Sequence, residues 1–249
     1  MDVLEALRAE SGAVAVVGAG GKKTTLYTLA ERAARERSLR AVVTATVRIP
    51  IFDRRVEAVA VTDDPVTALE RADAWPVGVV PEQKGEDRYG GYDPEVVDDI
   101  AAAGVADLVL VKADGARTRE FKAPNDREPQ LPRHVDTVVP IASVQAVGKP
   151  LSADHVHRPE RVAAITGLDR GDAIGPEDVA RVLASDRGGR KGVPDGATVV
   201  PLLNKVDDPE LRDTAEEIGW ELLERAPAVS RVVLARMVAD DPVVDILES

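Results

Sequence analysis

Ala13-Val14-Ala15-Val16-Val17-Gly18-Ala19-Gly20-Gly21-Lys22-Lys23-Thr24-Thr25-Leu26 is the stretch on which the fold turns. Ala13–Gly18 is apolar at every position, the pattern of a strand buried on both faces. The glycines then break the run. Apolar Leu26, Leu29, Ala30 and Ala33 return at helical spacing, which predicts a helix from about Thr24 to Arg37. A strand, a glycine loop and a helix in that order suit an anion, because backbone N–H groups turn inward at the positive end of the helix dipole. A phosphate-binding loop also needs a lysine for the β- and γ-phosphates and a hydroxyl for Mg²⁺. Lys22 supplies the first, and Thr24 or Thr25 the second. The full pattern is not met: the position five before Gly21 is Val16, and Lys23 pushes the hydroxyl one register late. A dinucleotide fingerprint fits less well. It needs glycine where Lys23 stands and an acid ending the second strand, which ends in Thr44-Ala45-Thr46.

Outward from this core, further elements alternate. A short amphipathic helix is expected over Asp2–Glu10, and strands over Ala41–Thr46, Val56–Val61, Val77–Val80, Asp107–Ala113, Thr137–Ala142, Thr198–Leu203 and Val229–Met237. Helices are expected from Pro65, over Pro94–Ala103, in the region Arg158–Ser185, over Pro209–Glu224 and over Pro242–Leu247. Such alternation implies a mostly parallel sheet with helices on both faces. The fold class expected is α/β, a P-loop NTPase-like three-layer sandwich. One domain spans 1–249, with a mainly helical insertion at roughly 147–197.

The 249 residues carry 32 Lys+Arg against 44 Asp+Glu, a net charge of −12, and no cysteine. That excludes disulfides, iron–sulfur clusters and thiolate zinc sites. A strongly acidic surface repels phosphate backbones, so no nucleic-acid partner is expected. No apolar run is long enough for a membrane span and no signal-peptide pattern opens the chain, so a cytoplasmic location is expected. Asp-rich, Arg-over-Lys, aromatic-poor composition fits work in concentrated salt, a halophilic trait. Of only 8 lysines, five (Lys22, Lys23, Lys112, Lys122 and Lys205) fall in segments that carry chemistry.

Three such segments follow the first. Asp114 closes the apolar run Leu108–Val111 at the carboxyl end of a central strand, where it could hold Mg²⁺ beside the loop. Arg117, Arg119 and Lys122 put three cations within six residues, enough to clamp phosphates or a small oxyanion. They lie in Asp114–Arg133, a Pro-rich stretch long for a loop and so a functional candidate. Asn204-Lys205-Val206-Asp207 has the form Asn-Lys-x-Asp, in which the Asp accepts hydrogen bonds from guanine, the Lys stem covers the ring and the Asn steadies the loop. His155 and His157 are two ligand-type residues without a third, which points to a structural or hydrogen-bonding role. No nucleophile-elbow sequence supports a Ser–His–Asp hydrolase.

Taken in order, a set of segments resembles the YqeC family, accessory proteins for selenium-dependent molybdenum hydroxylases. They are Val17–Lys22 with Thr24-Thr25-Leu26, Val43–Thr46, Ala113–Ala116, Lys122-Ala123-Pro124 with Glu128-Pro129, Gly148–Leu151, Val156-His157-Arg158 and Leu203–Asp207. The resemblance implies a P-loop-like nucleotide-binding protein tied to maturation of a selenium-containing cofactor. Its partners would be a client molybdenum hydroxylase or a cofactor carrier. Two positions depart from the family pattern: Lys23 stands where Thr is usual, and Lys112 where Glu precedes Ala-Asp-Gly. Both put a cation near the expected Mg²⁺, which would repel it unless the lysines turn to phosphate.

The expectation is a Mg²⁺-dependent nucleoside triphosphate-binding protein, a weak NTPase with GTP favoured over ATP. Gly18, Ala19, Gly20, Gly21, Lys22, Lys23, Thr24 and Thr25 would hold the phosphates, and Asn204, Lys205 and Asp207 the base. Lys22, Asp114, Arg117, Arg119 and Lys122 would carry the chemistry, with Thr24 and Asp114 on the metal. The alternatives are a non-hydrolysing, nucleotide-switched module that docks on a client, and a phosphoryl or nucleotidyl transferase acting on a cofactor precursor.

Overall fold

The computed structural model describes residues 1–52 and 54–249. One sheet holds β1 (Gly12–Gly18), β2 (Ala41–Ala45), β3 (Ala58–Val61), β4 (Val77–Val80), β5 (Leu108–Lys112), β6 (Thr137–Ser143), β7 (Thr198–Val199), β8 (Leu202–Asn204), β9 (Arg231–Ala235) and β10 (Val243–Glu248). The order across it is β10-β9-β8-β6-β1-β5-β2-β4-β3, with β7 also paired to β6. All pairings are parallel except that of β9 with β10. The helices are α1 (Val3–Ala6), α2 (Lys22–Arg37), α3 (Pro65–Glu70), α4 (Pro94–Ala102), α5 (Pro159–Thr166), α6 (Pro176–Ala184) and α7 (Pro209–Arg225).

Residue alternation on β1 divides the core. Val14 and Val16 pack with Leu26, Leu29, Ala30 and Ala33 of α2 on one face. Ala13, Ala15 and Val17 pack with Val97 and Ile100 of α4 on the other. Burying each such Leu or Ile stabilises the fold by roughly 1.5–3 kcal/mol. Farther along the sheet, Val179 and Leu183 of α6 and Ile218 and Leu222 of α7 share a core with Ala142, Leu203, Val232 and Leu234. The fold is thus α/β, with helices on both faces of a mostly parallel sheet. Among the described residues no helix is long and apolar enough to cross a membrane.

Local chemistry explains the boundaries. Pro209 opens α7 after Asp208, whose carboxylate accepts from the Leu211 N–H at 2.8 Å. Residues 147–197 hold α5 and α6, and α6 packs against α7. Three expectations are corrected. The helix over Asp2–Glu10 is reduced to one turn, since Arg8 already has a φ of 49°. The strand over Thr198–Leu203 is interrupted at Val200-Pro201, where proline offers no N–H to the ladder. The helix over Pro242–Leu247 is instead β10, antiparallel to β9. Val243, Val244 and Ile246 favour a strand, and the edge of β9 offers them a ladder to pair with.

Because β1 connects through α2 toward β2 while β5 connects back across it to β6, β1 lies where the strand order reverses. Ligands in open α/β sheets bind outside the carboxyl ends of the strands at such a point. Gly18, Asp114, Ser143 and Asn204 lie at those ends.

Candidate functional site

The loop after β1 is packed, with no free play. A Cβ on Gly20 (φ 87°) would lie 2.5 Å from the Ser143 backbone nitrogen, and one on Gly21 (φ 145°) would collide with the Asn204 amide. Both positions therefore demand glycine. The Ala19 N–H donates to Ile141 O at 2.9 Å, and the Gly20 N–H to Arg119 O at 3.1 Å. Buried Asn204 ties the loop to β8: its Nδ2 donates to Gly20 O at 2.8 Å and its Oδ1 accepts from the Met237 N–H at 3.1 Å. Gly21 gives α2 no side-chain cap and the first turn holds no acid, only Lys22 and Lys23. The start of a 16-residue helix is thus without a capping side chain or a compensating carboxylate.

Buried Lys22 turns back over its own loop, where its Nζ donates to Gly18 O and stands 2.9 Å from Asp114 Oδ1. A chain of charges starts there. Asp114 Oδ2 accepts from the Gly18 N–H at 2.9 Å and faces Lys122 Nζ at 2.8 Å. Lys122 also donates to Gly115 O at 2.7 Å and to Glu128 Oε2 at 2.9 Å. Glu128 Oε2 accepts in turn from Arg158 Nη1 at 2.7 Å. Burial pushes the Asp114 carboxyl upward, but Lys22 and Lys122 together outweigh it and bring its pKa down to about 2. Lys112, also buried, donates to Arg48 O at 2.8 Å. Burial first, then repulsion from Lys22, lowers its pKa to about 7.

The expected residues come together unevenly. Lys22, Asp114 and Lys122 meet. The clamp of Arg117, Arg119 and Lys122 is not formed: Lys122 is committed to carboxylates, Arg119 Nε donates to Ala153 O at 2.7 Å, and Arg117 is exposed. Lys205 is held by both oxygens of Glu120 at 2.7 Å, while exposed Asp207 accepts from Gln145 Nε2 at 2.9 Å. Thr25 is buried and donates to Gly21 O at 3.2 Å, whereas Thr24 is half-buried at the helix start. Lys23 is exposed.

Asp114 could bond Mg²⁺ directly only once Lys22 has left its Oδ1. Each of its oxygens already faces an ammonium group, and Oδ1 has no hydrogen bond aligned on it beyond that ion contact. Among the described residues no three His, Asp or Glu side chains converge on a metal position.

Sequence reasoning gave no role to Glu128, Arg158 or Lys191, which complete the site. Lys191 Nζ donates to Asn125 O, and to Glu128 O at 2.9 Å, so the loop after Asp114 is pinned by α5 and by the turn after α6. That turn brings Gly188 and Gly189 to a cavity of about 10 Å³, room for one water, shared with Gly18, Asp114 and Lys122. The surplus of bases in Arg187-Gly188-Gly189-Arg190-Lys191 was the available signal.

The chain can be set beside known proteins. Its outline is similar to the crystal structure of the hydrogenase maturation factor HypB from Archaeoglobus fulgidus, with a TM-score of 0.42, 15% identity, and coverage of 94% of this chain and 86% of that one. It is 29% identical over 157 residues to the protein "Uncharacterized protein YqeC" of Escherichia coli (strain K12). That match takes in 62% of this chain and 60% of the relative, so the chain spans less than two thirds of the relative's length. Residues 14–160, from β1 through the phosphate-type loop and Asp114 to Arg158, match the family described as YqeC protein. On that match over more than half its length, the chain belongs to the YqeC family.

Proposed function

We propose that Gly18–Lys22 and the start of α2 bind the triphosphate of a nucleotide, with Mg²⁺ arriving as the counter-ion of that substrate. The observation that carries this reading is Lys22 itself, buried over its own loop at an uncapped helix start and held on Gly18 O and Asp114. The N–H groups of Gly18, Ala19 and Gly20 are engaged within the protein, so a phosphate there would accept from those of Gly21, Lys22 and Lys23 at the helix start and draw the Lys22 ammonium off Asp114. The buried charges beside the loop support it, since Lys22, Lys112 and Lys122 outnumber Asp114. The proposed base site is Asp207, with a preference for guanine. Asn204 links it to the phosphates through Gly20 O. Slow hydrolysis, and service to a molybdenum hydroxylase or its selenium-containing cofactor, complete the proposal, the latter supported by family membership alone.

Thermal shift and calorimetry with GTP, ATP and CTP in concentrated KCl, with and without Mg²⁺, test it. GTP should rank first, and Asp207→Ala should level the ranking. Lys22→Ala should lose at least about tenfold in affinity for every triphosphate. Unchanged binding by Lys22→Ala sinks the assignment. A second reading, binding without hydrolysis, is favoured by Asp114 being held between two lysines. Tight binding without steady phosphate release would decide for it.

A further inference from the structure

Beside the phosphate loop lies a concentration of positive charge that the nucleotide reading leaves unused. His157 sits on a two-residue strand paired in parallel with Phe121-Lys122, in register with Lys122, and Arg158 follows it at the start of α5. The charges bearing most on the imidazole are Arg158, Lys122 and Arg117 against Glu128, and with Asp114 behind Lys122 the cluster sets three cations against two carboxylates in a chain of net charge −12. Lys122 is held by Asp114 at 2.8 Å and by Glu128 at 2.9 Å, and Arg158 by Glu128 at 2.7 Å, which leaves Arg117 as the surplus cation. The half-buried imidazole has its pKa lowered to about 4, by burial first and by Arg158 next. It is therefore neutral near pH 7 and offers one N–H donor without adding charge.

The backbone gives a second, independent sign. Among the described residues six non-glycines have positive φ. Arg117 (49°), Thr118 (61°) and Arg158 (65°) are three of them, and Lys205 (66°), beside Glu120, is a fourth. Such conformations persist only where the surroundings hold them, and they gather at ligand sites. Arg117 and Thr118 lie on the loop that leads into Lys122, and Arg158 follows the His157 strand paired with it, so two of these turns border the same pair of short strands.

We propose that Arg117, His157 and Arg158 form a second anion site, which takes a tetrahedral oxyanion or the phosphomonoester head of a small co-substrate. The two guanidinium groups would offer paired N–H donors to such a group, and His157 a single neutral one. Glu128 and Lys122 bridge Arg158 of this site to Asp114, Lys22's partner. The co-substrate would thus lie beside the nucleotide's phosphates. The site rests on the triphosphate reading only for what lies next to it.

The chain has three histidines, so the His157 imidazole is readily followed by NMR and assigned with His157→Gln. Inorganic phosphate and phenyl phosphate are titrated into the protein at constant ionic strength set with KCl. The expected result is a saturable shift of the His157 signals that survives in Lys22→Ala and weakens about tenfold or more in Arg117→Ala. Arg117 is exposed, so its removal leaves the core intact; Arg117→Lys, which keeps the charge and loses the fork, should fall between. Tighter binding of the ester identifies a phosphorylated co-substrate, and equal binding a free oxyanion. A shift abolished by Lys22→Ala but intact in Arg117→Ala places the anion in the phosphate loop and overturns the proposal, as does a response that never saturates. A protein that binds no triphosphate yet keeps the His157 shift refutes the nucleotide reading and leaves this one standing.

Discussion

Asp114→Asn tests the central ion pair directly. The side chain is isosteric, and its remaining oxygen can still accept from the Gly18 N–H, as Oδ2 does now at 2.9 Å. The other end then presents an amide NH₂ to an ammonium group 2.8 or 2.9 Å away, whichever way it is turned. Removing one partner of a buried ion pair typically costs about 3–5 kcal/mol. The lower end applies, because Lys22 keeps Gly18 O and Lys122 keeps Glu128 and Gly115 O. The carboxyl falls from 3.8 in the unfolded chain to about 2 in the fold, so at ~1.4 kcal/mol per unit its charged form contributes about 2 kcal/mol. For a depressed carboxyl that stability is present above pH 4 and is lost as pH falls toward 2. Urea unfolding of both proteins should therefore show wild type ahead by about 3 kcal/mol at pH 7, with about 2 kcal/mol of that lead gone by pH 2. The same variant frees Lys22, so inorganic tripolyphosphate without Mg²⁺ should bind it more tightly than wild type. A lead that does not change with pH, or weaker tripolyphosphate binding, would refute the picture of Asp114 as the group from which phosphate takes Lys22.

Two other substitutions probe the neighbours. Lys112, with its pKa reduced from 10.5 to about 7, should be a burden at pH 7 of about 5 kcal/mol, less ~1 kcal/mol for its bond to Arg48 O. Lys112→Met should accordingly be the more stable protein at pH 7 in guanidinium unfolding. Its advantage should shrink as pH rises from 7 toward 10.5, where the unfolded lysine also loses its proton; a constant gap counts against the shift. Gly21→Ala should cost about 2–3 kcal/mol, through strain at φ 145° and displacement of the Asn204 amide. Gly192→Ala (φ 66°, no neighbour within 4 Å) should cost only about 1 kcal/mol. Equal melting-temperature losses for the two would mean the contact between Gly21 and Asn204 contributes nothing.

What could be read from the sequence was what neighbours in the chain decide. Ala13–Leu26 carries its strand, loop and helix within one window, and the structure builds them there. Asn204 is the exception: the form Asn-Lys-x-Asp gives it a loop to steady, and its amide reaches Gly20, 184 residues away. What escaped was decided by remote partners. Lys122 reads as a loop cation until Asp114 and Glu128 are found against it, and Arg158 reads as the start of a helix until Glu128 meets it 30 residues back. The terminal segment failed for a related reason. Pro242 opens a helix as readily as it precedes a strand, and only the free edge of β9 decides between them.

The chain's charge then reads differently inside and outside. Carboxylates dominate the surface, as the net −12 requires, yet the charged side chains buried around the loop are lysines: Lys22, Lys112 and Lys122, with Asp114 alone among them. In a chain with 24 arginines and 8 lysines the preference at these positions calls for a cause. A guanidinium stays charged in any interior, whereas a lysine can give up its proton when buried, as Lys112 does near pH 7, and take it back when an anion arrives. A pocket that must be stable empty and cationic when filled is better served by lysine. On this reasoning Lys112 is no obstacle to phosphate: bringing negative charge to Lys22 raises the Lys112 pKa, so binding near pH 7 should take up a proton. Calorimetry in buffers of different ionisation enthalpy would register that proton in the wild type and not in Lys112→Met.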